Sequence, residues 1–332
     1  MQIQKILALI DKLDAKVVVL LCHNNADPDA IGAAYAFSGL LKRLRPKLKI
    51  EIAAAAGLSR ISKAIMTVLP MELVDQPRIE EADMLVLVDT NTIQQLGEWC
   101  TRIKPDQPLL VVDHHASHPE TERIATLSVT EDTASSTCEV VYWLFKEADV
   151  KPSSDEAKAL FLGIAYDTRH FIIAASDTFK VVAELIDTGI NVQEILPILS
   201  LPMEHSERIA RLKASTRLKL LTINNWLIAF SQVSAYQASV ARAIISLGAH
   251  IAIVAGQKDD KIQVSFRATQ EFCSDTGIHV GTDLARPLGD FLGGMGGGHA
   301  VSAGANGVGD VKTCLRFCSK LIRNKIKQPV FE

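Results

Sequence analysis

The sequence predicts an α/β chain in which a doubly wound parallel-sheet domain is followed by a smaller mixed α/β domain. Three observations lead there. Unbroken apolar runs rich in valine and leucine recur before residue 115, as in strands buried on both faces. Segments with helical spacing alternate with these runs, the pattern of a sheet covered by helices on each side. Past about residue 190 the texture changes to a proline-bearing linker, a hairpin and a glycine-rich stretch.

Taken in order, residues 2–13 have the spacing of a first helix, and VVVLLCH (17–23) reads as a buried strand. A helix then opens at DPDAIGAAYAFSGLLKRL, with Asp27 placed to cap it and Pro28 at its first turn. KIEIAAA (49–55), MLVLVDT (84–90) and PLLVVDHH (108–115) are three further strands. Helical segments follow near 135–147, 154–166 and 177–188. The N-terminal domain is expected to span 1–190 with about five parallel strands, the linker 191–214 (with Pro197 and Pro202), and the second domain 215–332. In that domain LTINNWLIAFSQV reads as a hairpin turning at Asn224-Asn225. A helix (236–248), strands at 249–257 and 261–269, a helix (282–290), the glycine cluster and a last helix (309–327) complete it.

Composition narrows the function. The chain has 332 residues, 48% hydrophobic and 22% charged, with a net charge of −3, which excludes a disordered chain and a generic polyanion binder. The charge is divided: residues 1–189 hold 19 basic against 27 acidic groups, and residues 190–332 hold 16 against 11. That split suits a phosphate enzyme with cations in one half and an anionic substrate received by the other, though counts alone leave chance open. Six scattered cysteines without a CxxC pair point to a reducing compartment. The charged start and the lack of a long uncharged apolar run lead to an expectation of a soluble, cytoplasmic protein with no membrane contact. Lys312, Arg316, Lys320, Arg323 and Lys327 share one face of the last helix, and a solvated face accounts for them better than phosphate contact.

The chemistry lies where the strands end, the place at which open parallel sheets bind ligands. His23, Asp27 and Asp29 follow the first strand, Asp89 ends the third, Asp113, His114 and His115 end the fourth, and Asp167 closes a helical segment. One Asp after a strand is ordinarily a cap. Several carboxylates converging on one half-buried crevice require cations. Asp27, Asp29, Asp89 and Asp167, with His23 and His114 as neutral ligands, would balance two divalent ions sharing a carboxylate. Mixed imidazole and carboxylate donors favour manganese, iron, cobalt or zinc over magnesium or calcium. Manganese is the expected ion, with magnesium, cobalt or zinc as substitutes.

HNNADPDAIGAA, VDT, DHH and AYDT, in that order, resemble the motifs of the DHH phosphoesterase superfamily, and VSFRA with GGMGGGHAVSAGA resembles its DHHA1 partner domain. The compact two-domain layout resembles the stand-alone oligoribonuclease and 3′-phosphoadenosine-5′-phosphate phosphatase type. The resemblance implies that His23, Asp27 and Asp89 bind one metal, and Asp29, Asp89, His114 and Asp167 the other, with Asp89 bridging. It makes Asp113 an orienting group for a ligand histidine, and His115 a phosphate contact or a proton donor to the leaving oxygen. It gives Arg267, Gly296, Gly297, Gly298 and His299 to the substrate's nucleotide or terminal phosphate. Relatives often carry glycine at the position of Arg169, which is either an added phosphate contact or a residue that narrows the pocket.

Each substrate-side group also has a plain structural role open to it. The glycine run is either a turn or an anion cradle. Ser135, Ser136 and Thr137 start a helix, and capping explains them better than phosphate binding. The expected activity is metal-dependent hydrolysis of short oligoribonucleotides and of 3′-phosphoadenosine 5′-phosphate by two-metal activation of water. The site is expected in a cleft that opens and closes about the linker. Short RNA oligonucleotides or small nucleotides are the expected partners, with a homodimer left open. A cyclic-dinucleotide phosphodiesterase or polyphosphatase, a 5′-to-3′ single-strand exonuclease and a non-catalytic nucleotide-binding module are the alternatives.

Overall fold

The computed structural model describes residues 1–200 and 203–327. They form two compact units, Met1–Leu201 and Pro202–Glu332, each with its own sheet.

The first unit is built on five parallel strands: β1 (Val17–Cys22), β2 (Lys49–Ala54), β3 (Met84–Val88), β4 (Leu109–Asp113) and β5 (Leu127–Thr130), in the spatial order β2-β1-β3-β4-β5. The three central strands are apolar on both faces because both faces are covered. On one face Val18, Leu20 and Val86 pack with the helices Pro28–Leu44, Thr137–Glu147 and Ser154–Asp167. On the other, Val19, Leu21 and Leu87 pack under short 3-10 segments such as Ile79–Glu81 and Ile93–Arg102. The helix Pro28–Leu44 starts as its sequence dictates. Asp27 accepts from the amides of Asp29 and Ala30, and Pro28 fills the first position, where no amide proton is needed.

β5 was not among the expected strands. It has four residues on the sheet edge and only one of them, Val129, is buried, so it lacks the continuous apolar signal of its neighbours.

The second unit is a mixed sheet of six strands. β6 (Lys219–Ile223) and β7 (Trp226–Gln232) form the hairpin expected at Asn224-Asn225, and Asn224 takes the left-handed conformation (φ 52°) that such a turn needs. β7 runs parallel to β8 (Ile251–Lys258), and the remaining pairs, with β9 (Lys261–Ala268), β10 (Met295–Gly298) and β11 (Ser302–Val308), are antiparallel. The order is β10-β11-β9-β8-β7-β6. Helices His205–Thr216 and Gln237–Ser246 cover one face, and Val311–Lys327 with Arg286–Phe291 the other.

Residues 191–214, expected as a linker, contain the boundary between the two units and are largely helical. Val192–Ile195 and Leu196–Leu199 bury Ile195 and Leu199 in the first core, while His205–Thr216 buries Ala214 in the second. Their apolar residues found cores to enter, which the two prolines concealed. Pro197 sits in the first turn of a 3-10 segment, where proline is tolerated, and Pro202 lies outside the described residues. The glycine run is also not a turn: Gly296, Gly297 and Gly298 belong to the edge strand β10, and the turn comes after them, at His299–Ser302.

Candidate metal centre

In the first unit the expected ligands stand just past strand ends or at helix ends. His23 follows β1, Asp27 caps the next helix and Asp29 lies in its first turn. Asp89 follows β3, Asp113 ends β4 with His114 and His115 behind it, and Asp167 closes the helix Ser154–Asp167. Their ligating atoms form three overlapping groups, each within 4.8 Å: His23, Asp27 and Asp89; Asp29, His114 and Asp167; and Asp89, Asp113, His114 and His115. Asp89 is shared by the first and last of these, and His114 links the second to them. Its Oδ2 is 3.7 Å from His23 Nε2 and its Oδ1 3.8 Å from His114 Nε2. It adopts a left-handed backbone (φ 53°), a conformation that costs a non-glycine residue energy and that clusters at functional sites.

Two imidazoles are pinned alike. Nδ1 of His23 lies 2.8 Å from the Asn24 carbonyl and Nδ1 of His114 lies 3.3 Å from the Ala134 carbonyl. With the proton on Nδ1, each ring turns the lone pair of Nε2 toward the carboxylates, the arrangement of a metal-ligating histidine. His114 Nε2 is buried without a hydrogen-bond partner, although Asp167 Oδ2 is 3.3 Å away. A buried polar atom without a partner among facing carboxylates fits a cation.

His115 is held differently. Its Nδ1 is 2.8 Å from Asp113 Oδ1, which also accepts the amide protons of His114 and His115, and its ring is half exposed. Asp113 therefore orients His115, whereas the ring of His114, the histidine placed among the ligands, is oriented by a backbone carbonyl.

The electrostatics describe a site short of positive charge. Burial, reinforced by Asp89, Asp167 and Asp27, raises Asp29 well above the usual carboxylate range. Burial and the charges of Asp27, Asp113 and Asp167 push Asp89 up to about 7. His23 rises to about 9 because Asp27, Asn24 and Asp89 outweigh its burial. His114 is raised against its own burial by Asp167 and Asp89, and His115 chiefly by its hydrogen bond to Asp113. Protons fill the role that cations would take.

Thr137, a helix-start residue by sequence, reaches the site in the structure. Its Oγ1 donates to Asp89 Oδ1 (2.8 Å), its amide donates to Asp29 Oδ2 (2.6 Å), and the amide of Cys138 donates to Asp29 Oδ1 (2.9 Å). The helix N-terminus thus binds a carboxylate of the site itself, as its dipole favours, while Ser136 caps it through the Glu139 amide. No spacing rule links Thr137 to Asp89, because they are 48 residues apart.

The substrate-side candidates divide between the units. Arg169 is exposed in a run of three left-handed residues, Arg169, His170 and Phe171, a backbone that favours glycine. In the second unit Arg267 pairs across strands with Ser302, which places it beside the turn that carries His299. Burial and the charge of Arg242 lower its pKa. Gly296 has a packing reason, since a Cβ there would collide with the Ala285 carbonyl, and Gly298 has both a left-handed φ and a neighbour in Ala303. A Cβ on Gly297 would meet nothing within 4 Å.

The DHH family, N-terminal domain, matches residues 17–164, and the DHHA1 domain matches residues 212–327. The chain belongs to the DHH phosphoesterase superfamily. An uncharacterized Methanocaldococcus jannaschii protein is 33% identical over 333 residues, spanning 96% of this chain and 98% of that one. A probable manganese-dependent inorganic pyrophosphatase of Streptococcus thermophilus is 32% identical over 152 residues, 44% of this chain and 46% of its own length. The crystal structure of an exopolyphosphatase-related protein from Bacteroides fragilis shares the fold, with a TM-score of 0.62, 17% identity and coverage of 98% and 97% of the two chains. As a DHH phosphoesterase the chain is a hydrolase, and its acidic cluster has the donor set of a divalent-cation site. Among the described residues no helix is long and apolar enough to cross a membrane.

Proposed function

We propose that this chain is a two-cation phosphoesterase acting on short oligoribonucleotides, with 3′-phosphoadenosine 5′-phosphate as a second substrate. The observation that carries the reading is the pair of pinned imidazoles, His23 and His114, aiming Nε2 at Asp89 from either side. His23, Asp27 and Asp89 would hold one ion, Asp29, His114 and Asp167 with Asp89 the other, and manganese suits the mixed donors. Bound there, divalent ions supply Lewis acidity that lowers the pKa of water and offset charge on the phosphoryl oxygens.

The chain's own groups complete the chemistry. His115, whose proton affinity is raised by its hydrogen bond to Asp113 and whose side chain is half exposed, would donate a proton to the leaving oxygen. Arg267, Gly297, His299 and Arg169 bind the nucleotide and its phosphates, and a guanidinium fork suits phosphate bidentately. Asp29 and Asp89, whose proton affinity is raised by burial and their neighbours, would hold the cations as carboxylates, so cation affinity should rise with pH.

The S. thermophilus relative is named for pyrophosphate, but the match spans less than half of either chain, and in this chain a DHHA1 domain follows. That domain supports a nucleotide substrate over bare pyrophosphate. The test is manganese-dependent turnover across RNAs of two to about twenty-four nucleotides, 3′-phosphoadenosine 5′-phosphate, cyclic dinucleotides, single-stranded DNA, polyphosphate and pyrophosphate. Fastest turnover on the shortest RNAs supports the reading. A rate that rises with RNA length, or turnover confined to pyrophosphate, rejects it.

A further inference from the structure

The second unit carries a groove of about 740 Å³ between the edge strand β6 and the helix Val311–Lys327. Five basic residues line it: Arg217 and Lys219 from the β6 side, and Lys312, Arg316 and Arg323 from the helix. No acidic side chain lines it. All five are exposed, and the acidic group near them is Asp310, beside the groove, whose carboxylate feels the charge of Arg316. Lys325, on the same helix, is paired with Asp283 at 2.8 Å.

The groove is separate from the candidate substrate residues of this unit. Strand alternation places it on the sheet face that buries Phe266, Cys314 and Cys318, and turns Arg267 to the other face. Cations on a helix alone are ordinarily a solvated surface. Here they face further cations across a concave wall, so each raises the cost of leaving the others without an anion.

We propose that this groove is a second anion site, and that it holds the phosphate backbone of single-stranded RNA without reading its sequence. The chemistry selects the occupant. The chain as a whole is near neutral, but residues 190–332 hold 16 basic against 11 acidic groups, and several cations gathered along one groove suit an evenly charged chain. No exposed aromatic lines it as a stacking platform, since Phe230 is buried in its floor, so contact runs through phosphates and not bases. Leu220 is the exposed apolar residue along the groove, and with Leu221, Val311 and Leu315 half-buried it offers a membrane too little apolar surface to insert. The lysine on β6 also discourages an added peptide strand.

The experiment is binding, not turnover, so it stands apart from the hydrolysis reading. Fluorescence anisotropy follows a labelled single-stranded RNA of about 16 nucleotides on the full chain in EDTA, over a salt series. The double variant Arg316→Gln/Arg323→Gln is expected to weaken binding of A-rich and U-rich RNA alike, and to reduce the slope of log affinity against log salt by about 1.4. Arg316→Lys/Arg323→Lys, which keeps both charges, is expected to retain the slope and guards against a folding defect. An unchanged slope in the glutamine variant overturns the proposal. So does competition by poly-glutamate, or by phosphatidylserine vesicles, as strong as that by unlabelled RNA of equal charge.

Discussion

The two sheets solve different problems with the same materials. In β1–β5 every strand runs the same way, so the ends of β1, β3 and β4 bring His23, Asp89 and Asp113 to one edge, and apolar side chains behind them keep the backbone rigid. In β6–β11 the directions are mixed, no common carboxyl edge exists, and the chemistry-bearing residues sit on a face, beside a turn or along a groove. A parallel sheet concentrates polar groups at one edge and must then neutralise them. A mixed sheet spreads them out and leaves them exposed.

The largest effect that would break this contrast is at Asp89. Asp89→Asn is expected to remove nearly all manganese-dependent turnover while the thermal transition of the chain persists. Activity surviving at saturating manganese would show that the edge of the first sheet is not where the chemistry resides. Thr137 sharpens the point, because it touches two of the carboxylates and lies outside the sheet. Thr137→Val should lower cation affinity about 10–100-fold by calorimetric titration, and Thr137→Ser should restore most of it. Equal affinity in the valine variant would reduce the hydroxyl to a capping role.

The charge crowding makes an opposite-signed demand on the first unit, visible in pH. His23 titrates near 9 in the folded chain, above its ordinary 6.5, so its contribution to stability is complete below pH 6.5 and is lost as pH rises through 9. Asp89, raised to about 7 from 3.8, favours the folded state most at low pH and loses that advantage as pH rises through 7. Metal-free protein should therefore melt lower at pH 9 than at pH 6, and manganese should raise the melting temperature more at pH 9. A metal-free transition that climbs over this range would contradict the burial of mutually repelling carboxylates.

In the second unit the effects are those of packing. Gly296→Ala places a methyl group against the Ala285 carbonyl and should destabilise that unit by about 1–3 kcal/mol, whereas Gly297→Ala should leave stability unchanged. Smaller still, Arg169→Gly removes a left-handed arginine and should stabilise the first unit by about 1 kcal/mol, while raising KM for nucleotide if the guanidinium contacts phosphate.

Much of this was legible because the residues announce themselves in runs. VVVLLC, MLVLV and LLVVD are strands by composition alone, and the polar residue closing each run is a site residue or borders one. β5 was hidden because an edge strand of four residues needs little apolar surface. The glycines suggested a loop, since period and propensity say nothing of the close approach of Gly296 to Ala285. The helices at 192–199 were masked by proline, and the Thr137–Asp89 bond by sequence distance. The basic helix face was visible as a stripe, but the wall of Arg217 and Lys219 opposite it exists only in three dimensions.

The most direct test of the central claim is anomalous diffraction from crystals of the full chain grown with manganese, collected above and below the manganese edge. Two peaks on either side of Asp89 are predicted, one within coordination distance of His23 and Asp27 and the other of Asp29, His114 and Asp167. No peak at that cluster, with manganese bound elsewhere or not at all, would contradict the account.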